Sequence, residues 1–482
     1  MKNFKRTVAG VSALAMALGL TSCGGGSDTA QETAAATAET TTQVTVEINT
    51  ATLAEEDQKT IEEVAAENLR DVELENKTIK WLAHYDINPS GSGNSESVPL
   101  NLFKSKYGGE VKYYATTWDS RYSDLSTHVL GGEGIDFFPC DTAALPKGVI
   151  NGMFQPVDEY INIDDPLWAD VKSAMEIYNF NGKHYELVNN VSAENVVLYN
   201  KQTISEHGLD DPWELYQAGE WNWDTFTSML ESYVDPDNEQ YGLDGYWNEK
   251  ALLLSAGVPA VSSVDGTLKA NLSDPTIEKA LNWSYDLFNK GLVMDMSLFD
   301  WAEQPQFMGE GKELFYIIGA WGVMSNPETW GTQIPPENLG MAPVPSPADS
   351  DPYQAATLDG WVICKGAANP LGVALFAECT RLANTNDEAI AIGDQKARDD
   401  YGWTDEIIAI NKEINALAQQ YPVVDLATGV STDVASLTTD GGAQIGLRAP
   451  FHGIDWATAR EEITEVVTLL VDEADAQIKE LG

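Results

Sequence analysis

The chain has 482 residues, 43% of them apolar, enough to bury the cores of two or more domains and too many for a disordered or collagen-like polymer. Asp and Glu number 75 against 28 Lys and Arg, a net charge of −47, which excludes sequence-independent nucleic-acid binding and adhesion to anionic lipid through a basic patch. The 14 Trp and 18 Tyr are many for so acidic a chain, so some of these rings are expected to face a ligand.

Residues 1–22 read as a signal peptide. Lys2, Lys5 and Arg6 form a basic start, and Val8 to Leu20 is apolar but too short to cross a bilayer as a mature helix. Leu20-Thr21-Ser22-Cys23-Gly24 resembles the bacterial lipobox, which implies cleavage before Cys23 and lipidation of its sulfur. An ordinary secretory signal with an incidental cysteine is the alternative. Residues 23–76 then read as a flexible tether, because 24–53 are Gly, Ser, Thr and Ala with scattered Glu and carry nothing to bury. A short helix over 54–71 is possible on the spacing of Ile61, Val64, Ala65 and Leu69. The folded body is expected to start near Asn76.

Strands are expected at Thr78–His84, Glu110–Thr116, Gly134–Phe138, Asn195–Asn200, Glu313–Ile318 and Gly360–Cys364. Helix-like segments separate most of them, the pattern of an α/β fold with a mainly parallel sheet. One helix is well marked. Asp274 can cap it, Pro275 takes its first position, Gly291 follows its end, and Ile277, Ala280, Leu281, Ser284, Leu287 and Phe288 share one face. Further helices are expected from Pro370 and over Asp455–Leu481. Besides Cys23 the cysteines are Cys140, Cys364 and Cys379, an odd number; no structural disulfide is expected, with Cys364–Cys379 the alternative.

Catalytic and cofactor motifs are missing: there is no GxSxG elbow, Walker loop or HExxH. The five histidines are scattered, and Asp235-Pro236-Asp237-Asn238-Glu239 has Gln240 where a calcium loop needs glycine, so it reads as a surface turn. No catalytic residue, metal or cofactor is expected.

Several segments carry a family resemblance. Val196-Val197-Leu198-Tyr199-Asn200-Lys201 resembles the "YNK" signature of the family 1 extracellular solute-binding proteins of ABC importers. Gly219 to Phe226 is similar to that family's "TWDEF" helix start, and Phe307 to Lys312 with Gly319-Ala320-Trp321 resembles its "F..GKAAM...G.W" element. Gly340 to Pro345 followed by Gly360-Trp361-Val362-Ile363 resembles "G.APLP…GGWAI", and Gly134 to Phe138 its "PDV" strand. Glu313-Leu314 and His184-Tyr185-Glu186-Leu187 depart from the family pattern. The resemblance implies a two-lobed periplasmic-binding-protein-like α/β fold of type II with a hinged cleft, maltose-binding-protein-like. One lobe would comprise 77–192 and 362–424, the other 193–361 and 425–482. The chain would cross near Asn190–Asn195, near Thr357–Trp361 and after about Gln420.

The same resemblance implies a carbohydrate ligand, with an oligosaccharide favoured by the many aromatics, and delivery to an ABC permease by a monomer held to the outer face of the cytoplasmic membrane through Cys23. Sugars present hydroxyls to carboxylates and amides and C–H faces to flat rings, so loop residues after strands are the candidates. They are Tyr85 and Asp86 (the latter alternatively a turn cap), Trp118 (alternatively packed) and Asp119, Asp141 (alternatively a helix cap), and Glu194 at the first crossing. Trp321 matches the stacking Trp of Gly-x-Trp, and Tyr246 and Trp247 resemble platform aromatics of the second lobe. Asp359 and Trp361 lie at the second crossing, where Trp361 could pack under the hinge instead, and His452 lies where the C-terminal part returns. Trp213, Trp221, Trp223 and Trp283 read as structural. A surface glycoside hydrolase and a binding protein for a peptide or polyamine are the competing readings.

Overall fold

In the computed structural model, residues 53–90, 95–245, 248–300, 302–320, 331–442 and 444–481 are described. Helix α1 (Glu55–Asn68) comes first, followed by β1 (Thr78–Ala83), α2 (Val98–Tyr107), β2 (Glu110–Ala115), α3 (Arg121–Gly131) and β3 (Phe137–Pro139). β4 (Glu186–Ala193) then runs through the single residue Glu194 into β5 (Asn195–Asn200). The middle of the chain supplies α4 (Trp223–Tyr233), β6 (Tyr241–Gly245), α5 (Asn248–Leu254), α6 (Pro275–Asn289), β7 (Glu313–Gly319), β8 (Leu339–Ala342) and β9 (Gln354–Cys364). Four long helices follow: α7 (Pro370–Thr385), α8 (Asp387–Tyr401), α9 (Asp405–Gln420) and α10 (Trp456–Glu480).

The strands form two main sheets. In the first the order is Pro422–Val423, β9, β3, β1, β2, with Phe154–Gln155 and β4 also on β9. In the second it is β8, β5, β7, β6. The sheets are mixed rather than mainly parallel. β1 is parallel to β2 and β3, and β6 to β7, but β9 is antiparallel to β3 and β4, and β5 to β7 and β8. The antiparallel pairs are those made by the crossing strands: β4 passes straight into β5, and β9 returns beside β4 in the opposite sense.

Each sheet has its own core. Around the first, Trp81 packs on Phe137 at 4.6 Å, and Trp361 stacks on Phe376 at 4.9 Å. Around the second, Phe226 stacks on Phe315 at 4.9 Å with Trp221 at 5.6 Å. The cap read from sequence is used, Asp274 accepting from Thr276 N at 2.8 Å, and two further helices are capped in the same way, by Asn369 accepting from Gly372 N at 2.9 Å and Asp455 from Thr458 N at 3.0 Å. Trp223 stacks on Trp283 at 4.2 Å, as structural residues should. Cys140, Cys364 and Cys379 are free thiols.

Two expected boundaries are corrected by packing. α9 was assigned with the first lobe, yet Ile407, Ile410 and Ile414 lie in the second core, and its Asn415 accepts from Ala193 N at 3.1 Å behind β4. α10 was assigned with the second lobe, yet Trp456, Ile463 and Val467 join the first core. The body also starts earlier than Asn76. Ile61, Val64 and Leu69 are buried in the first core, and Arg70 pairs with Glu378 at 2.8 Å. An amphipathic stripe in an otherwise polar segment docks because burying it is worth ~1.5–3 kcal/mol per large aliphatic side chain. Residues 1–52, including the proposed signal peptide, Cys23 and most of the tether, lie outside the described residues.

Ile61→Ala is therefore expected to lower the unfolding free energy by ~2–5 kcal/mol in a urea titration, whereas an undocked tether helix would leave it unchanged.

Candidate functional site

Three parallel strands end on the same edge of the first sheet, and the residues that follow them build one wall. After β1 the Trp81 indole N–H donates to Tyr85 O at 2.9 Å and fixes the turn. The Tyr85 ring lies 4.8 Å from His84, and His84 lies 5.0 Å edge-on to Trp118, which follows β2. The Arg121 guanidinium covers the Trp118 ring at 3.5 Å and donates through Nε to Asp141 Oδ2, after β3, at 2.7 Å. Tyr85 and Trp118 are 43% and 54% exposed. Protein mass nonetheless surrounds Tyr85: desolvation, then Asp359 and Asp141, push its phenol well above the ordinary value. Desolvation and then Arg121 hold the His84 imidazole below its usual range.

The floor is the β4–β9 pair. Ser192 Oγ donates to Asp359 Oδ2 at 2.6 Å across it. The register slips between Asp359 and Gly360, where a side chain would not fit: a Cβ on Gly360 would meet Glu186 Oε1 at 2.3 Å and Leu187 O at 2.6 Å. Asp359 is exposed by area yet desolvated by the surrounding walls, which raises its carboxyl to about 6. Glu186 behind it is buried beside the Cys140 thiol, and burial with the nearby Asp359 charge pushes its carboxyl well up.

On the second side Glu194 accepts from Lys250 Nζ at 2.8 Å. Desolvation pulls the Lys250 ammonium down, but Glu194, with Asp425 and Asp440, outweighs it and the pKa ends above the usual value. His452 lies 3.7 Å from Glu249, which Arg448 grips at 2.8 Å. It lines a small cavity with Asp244, Asn248, Phe288, Met294 and Phe451.

Of the residues read from sequence, Tyr85, Trp118, Asp141 and Asp359 come together, and Asp119 is exposed beside Trp118. Glu194 and His452 belong to the second side. Two readings are corrected. Asp86 takes its alternative role of turn cap through one oxygen, Oδ1, which accepts from Asn88 N at 2.9 Å and Asn88 Nδ2 at 2.8 Å. Trp361 is only 7% exposed and packs under the hinge on Trp81 and Phe376. Asp141 also holds its local turn through Ala143 N at 2.9 Å. Tyr246, Trp247 and Trp321 lie outside the described residues. His84, Ser192, Arg121 and Lys250 were missed; the spacing Trp118-x-x-Arg121 at a helix start was the available signal for one of them. Among the described residues no group of His, Cys, Asp or Glu is placed to hold a metal ion, and no helix is long and apolar enough to cross a membrane.

Comparison with known proteins fits this geometry. Residues 90–379, more than half of the chain, match the family described as bacterial extracellular solute-binding protein, and the chain belongs to that family. Its members are binding components of transporters and act outside the cytoplasm. A maltotriose-binding protein of Pyrococcus abyssi is 27% identical over 227 residues; the match spans 46% of this chain and 44% of that relative, under half the length of either. Among solved structures, the cyclic α-maltosyl-1,6-maltose binding protein of Arthrobacter globiformis superposes with a TM-score of 0.59 at 15% identity, over 82% of this chain and 99% of that one. The GacH receptor of Streptomyces glaucescens, solved with and without acarbose, gives 0.57 at 13% identity over 82% and 98%. A Listeria monocytogenes substrate-binding protein in complex with cycloalternan gives 0.56 at 15% over 84% and 99%. These likenesses show the two-lobed α/β fold of type II solute-binding proteins.

The raised Asp359 carboxyl has a sign that can be checked. The fold favours its neutral form, so its contribution to stability is present below the ordinary carboxylate value and is lost as pH rises through about 6. Asp359→Asn should raise the midpoint of thermal unfolding at about pH 7.5 and change it little at about pH 3.5.

Proposed function

We propose that the chain is the substrate-capturing lipoprotein of an ABC importer, and that it binds a carbohydrate, an oligosaccharide rather than a single sugar, between its lobes and hands it to a membrane permease. It acts as a monomer, held to the outer face of the cytoplasmic membrane by lipid on Cys23, and performs no catalysis. The observation that carries the carbohydrate reading is the wall of Tyr85, His84 and Trp118 set beside Asp141 and Asp359. Exposed rings offer area to sugar C–H faces at little entropic cost, and Asp359 offers a carboxylate to hydroxyls, while Asp141 is engaged by Arg121, Tyr122 and Ala143 and braces the wall. The sugars named for the relatives, from maltotriose to cycloalternan, favour the same class.

The charges argue against a polyamine. A site for a cation would leave its carboxylates open, but Asp141 is matched by Arg121 and Glu194 by Lys250. Hinge closure over the bound sugar would follow from the crossings between the lobes, with the β4–β9 pair absorbing the rotation.

The test is intrinsic tryptophan fluorescence of the chain from Gly24 onward, titrated with a panel of oligosaccharides, with the solution analysed afterwards for cleavage. A saturable change with intact sugar is expected. Shortened products would mean an enzyme, and silence across the panel would move the weight to peptides and polyamines.

A further inference from the structure

An exposed tryptophan is normally a mobile one, and Trp118 is not built that way. The Arg121 guanidinium lies between two rings, 3.5 Å from the Trp118 centroid and 4.7 Å from that of Tyr122. Its Nη1 donates to the Trp118 carbonyl, and its Nε to Asp141 at 2.7 Å. Asp141 also accepts from the Tyr122 hydroxyl, and Tyr122 rests on core residue Phe138 at 5.3 Å. The Arg121 side chain itself is only 9% exposed. A chain of contacts thus runs from the first core outward, Phe138 to Tyr122 to Arg121 to Trp118, and ends on a ring that is 54% exposed. His84 braces that ring from the side at 5.0 Å.

We infer that Arg121 is a positioning residue: clamped by Asp141 and Tyr122, it holds Trp118 as a preset platform for an uncharged sugar ring. The inference rests on the carbohydrate reading above. A side chain already immobilised loses less freedom when ligand arrives, which is the source of the affinity gain. The guanidinium is suited to the task because it is planar and can stack while its edge donates hydrogen bonds; an ammonium can hold the charge but not the ring. Since Asp141 balances the charge, the wall next to the platform is a neutralised pair, which suits a neutral sugar over a sugar acid.

The experiment is a double-mutant cycle on sugar affinity, measured calorimetrically on the chain from Gly24 with whichever oligosaccharide the wild type binds. Arg121→Lys is expected to weaken binding by about two- to tenfold, the range set by freezing one side chain. Trp118→Ala should weaken it at least as much, and Arg121→Lys should cost nothing further in the Trp118→Ala background. Thermal unfolding of Arg121→Lys, which retains the charge for Asp141, is expected to stay near wild type, so a binding loss is not a folding loss. Wild-type affinity in Arg121→Lys would overturn the inference, as would losses that multiply in the double variant, which would mean that Arg121 meets the sugar itself. If Arg121→Lys does not fold, Tyr122→Phe, which loosens Asp141 but keeps the ring under the guanidinium, enters the same cycle under the same criteria. A wild type that binds no carbohydrate would bring down the reading itself, whereas a wild type that binds and a neutral Trp118→Ala would bring down the inference alone.

Discussion

The structure depends on one antiparallel pairing, that of β4 with β9. These two strands carry the chain between the sheets, and they are held together by a ladder from Ala193–Ala356 to Glu186–Val362 that slips once, at Asp359 and Gly360. The slip requires glycine, because Glu186 and the Leu187 carbonyl occupy the space of any side chain. Asp359 beside the slip is exposed, while Trp361, two residues on, is buried in the first core against Phe376. One strand therefore supplies both an exposed carboxylate and a core anchor, and a substitution on its buried face is expected to act through stability.

A second constraint is charge. With 75 acids and 28 cationic side chains of Lys and Arg, the chain has few cations to place, and it places two of them beside candidate cleft residues. Arg121 meets Asp141 and Lys250 meets Glu194, both largely desolvated, where an unmatched carboxylate would cost most. Asp359 is the contrast: among the described residues no cation is paired with it, and desolvation by the protein around it raises its carboxyl to about 6 although the Ser192 hydroxyl, donating to it, pulls the other way. Such local cost at a cleft floor is what a site that must later accept hydroxyl donors would carry.

Much of the fold was legible because its signals are local. Asp274-Pro275 and Asn369-Pro370 mark helix starts through capping, and Asn195–Asn200 is a strand whose six residues are all buried. The first half of β9 was not legible, since Gln354 to Asp359 has neither alternation nor an apolar run, and its strand character comes from β4 beside it. The packing of α9 against the second core was hidden for the same reason: an apolar helical face says that something is covered, not what. At the site, Tyr85 and Trp118 could be read from their place after strands. The turn hydrogen bonds of Asp86 and the packing of Trp361 on Trp81 and Phe376 could not be read from sequence, because a carboxylate after a strand and a Trp at a crossing can each face either way. Arg121 was overlooked because its role is a contact, not a motif.

The central claim, that the β4–β9 crossing is a hinge closing on a carbohydrate, is tested most directly by distance. Leu130 in α3 is 78% exposed and Leu298, between α6 and β7, is 70% exposed. Spin labels on Leu130→Cys and Leu298→Cys, with pulsed dipolar spectroscopy before and after a saturating oligosaccharide, report whether the two sides move. The account predicts a changed, narrower distance distribution that tracks saturation of the bound sugar; saturation with an unchanged distribution would contradict it.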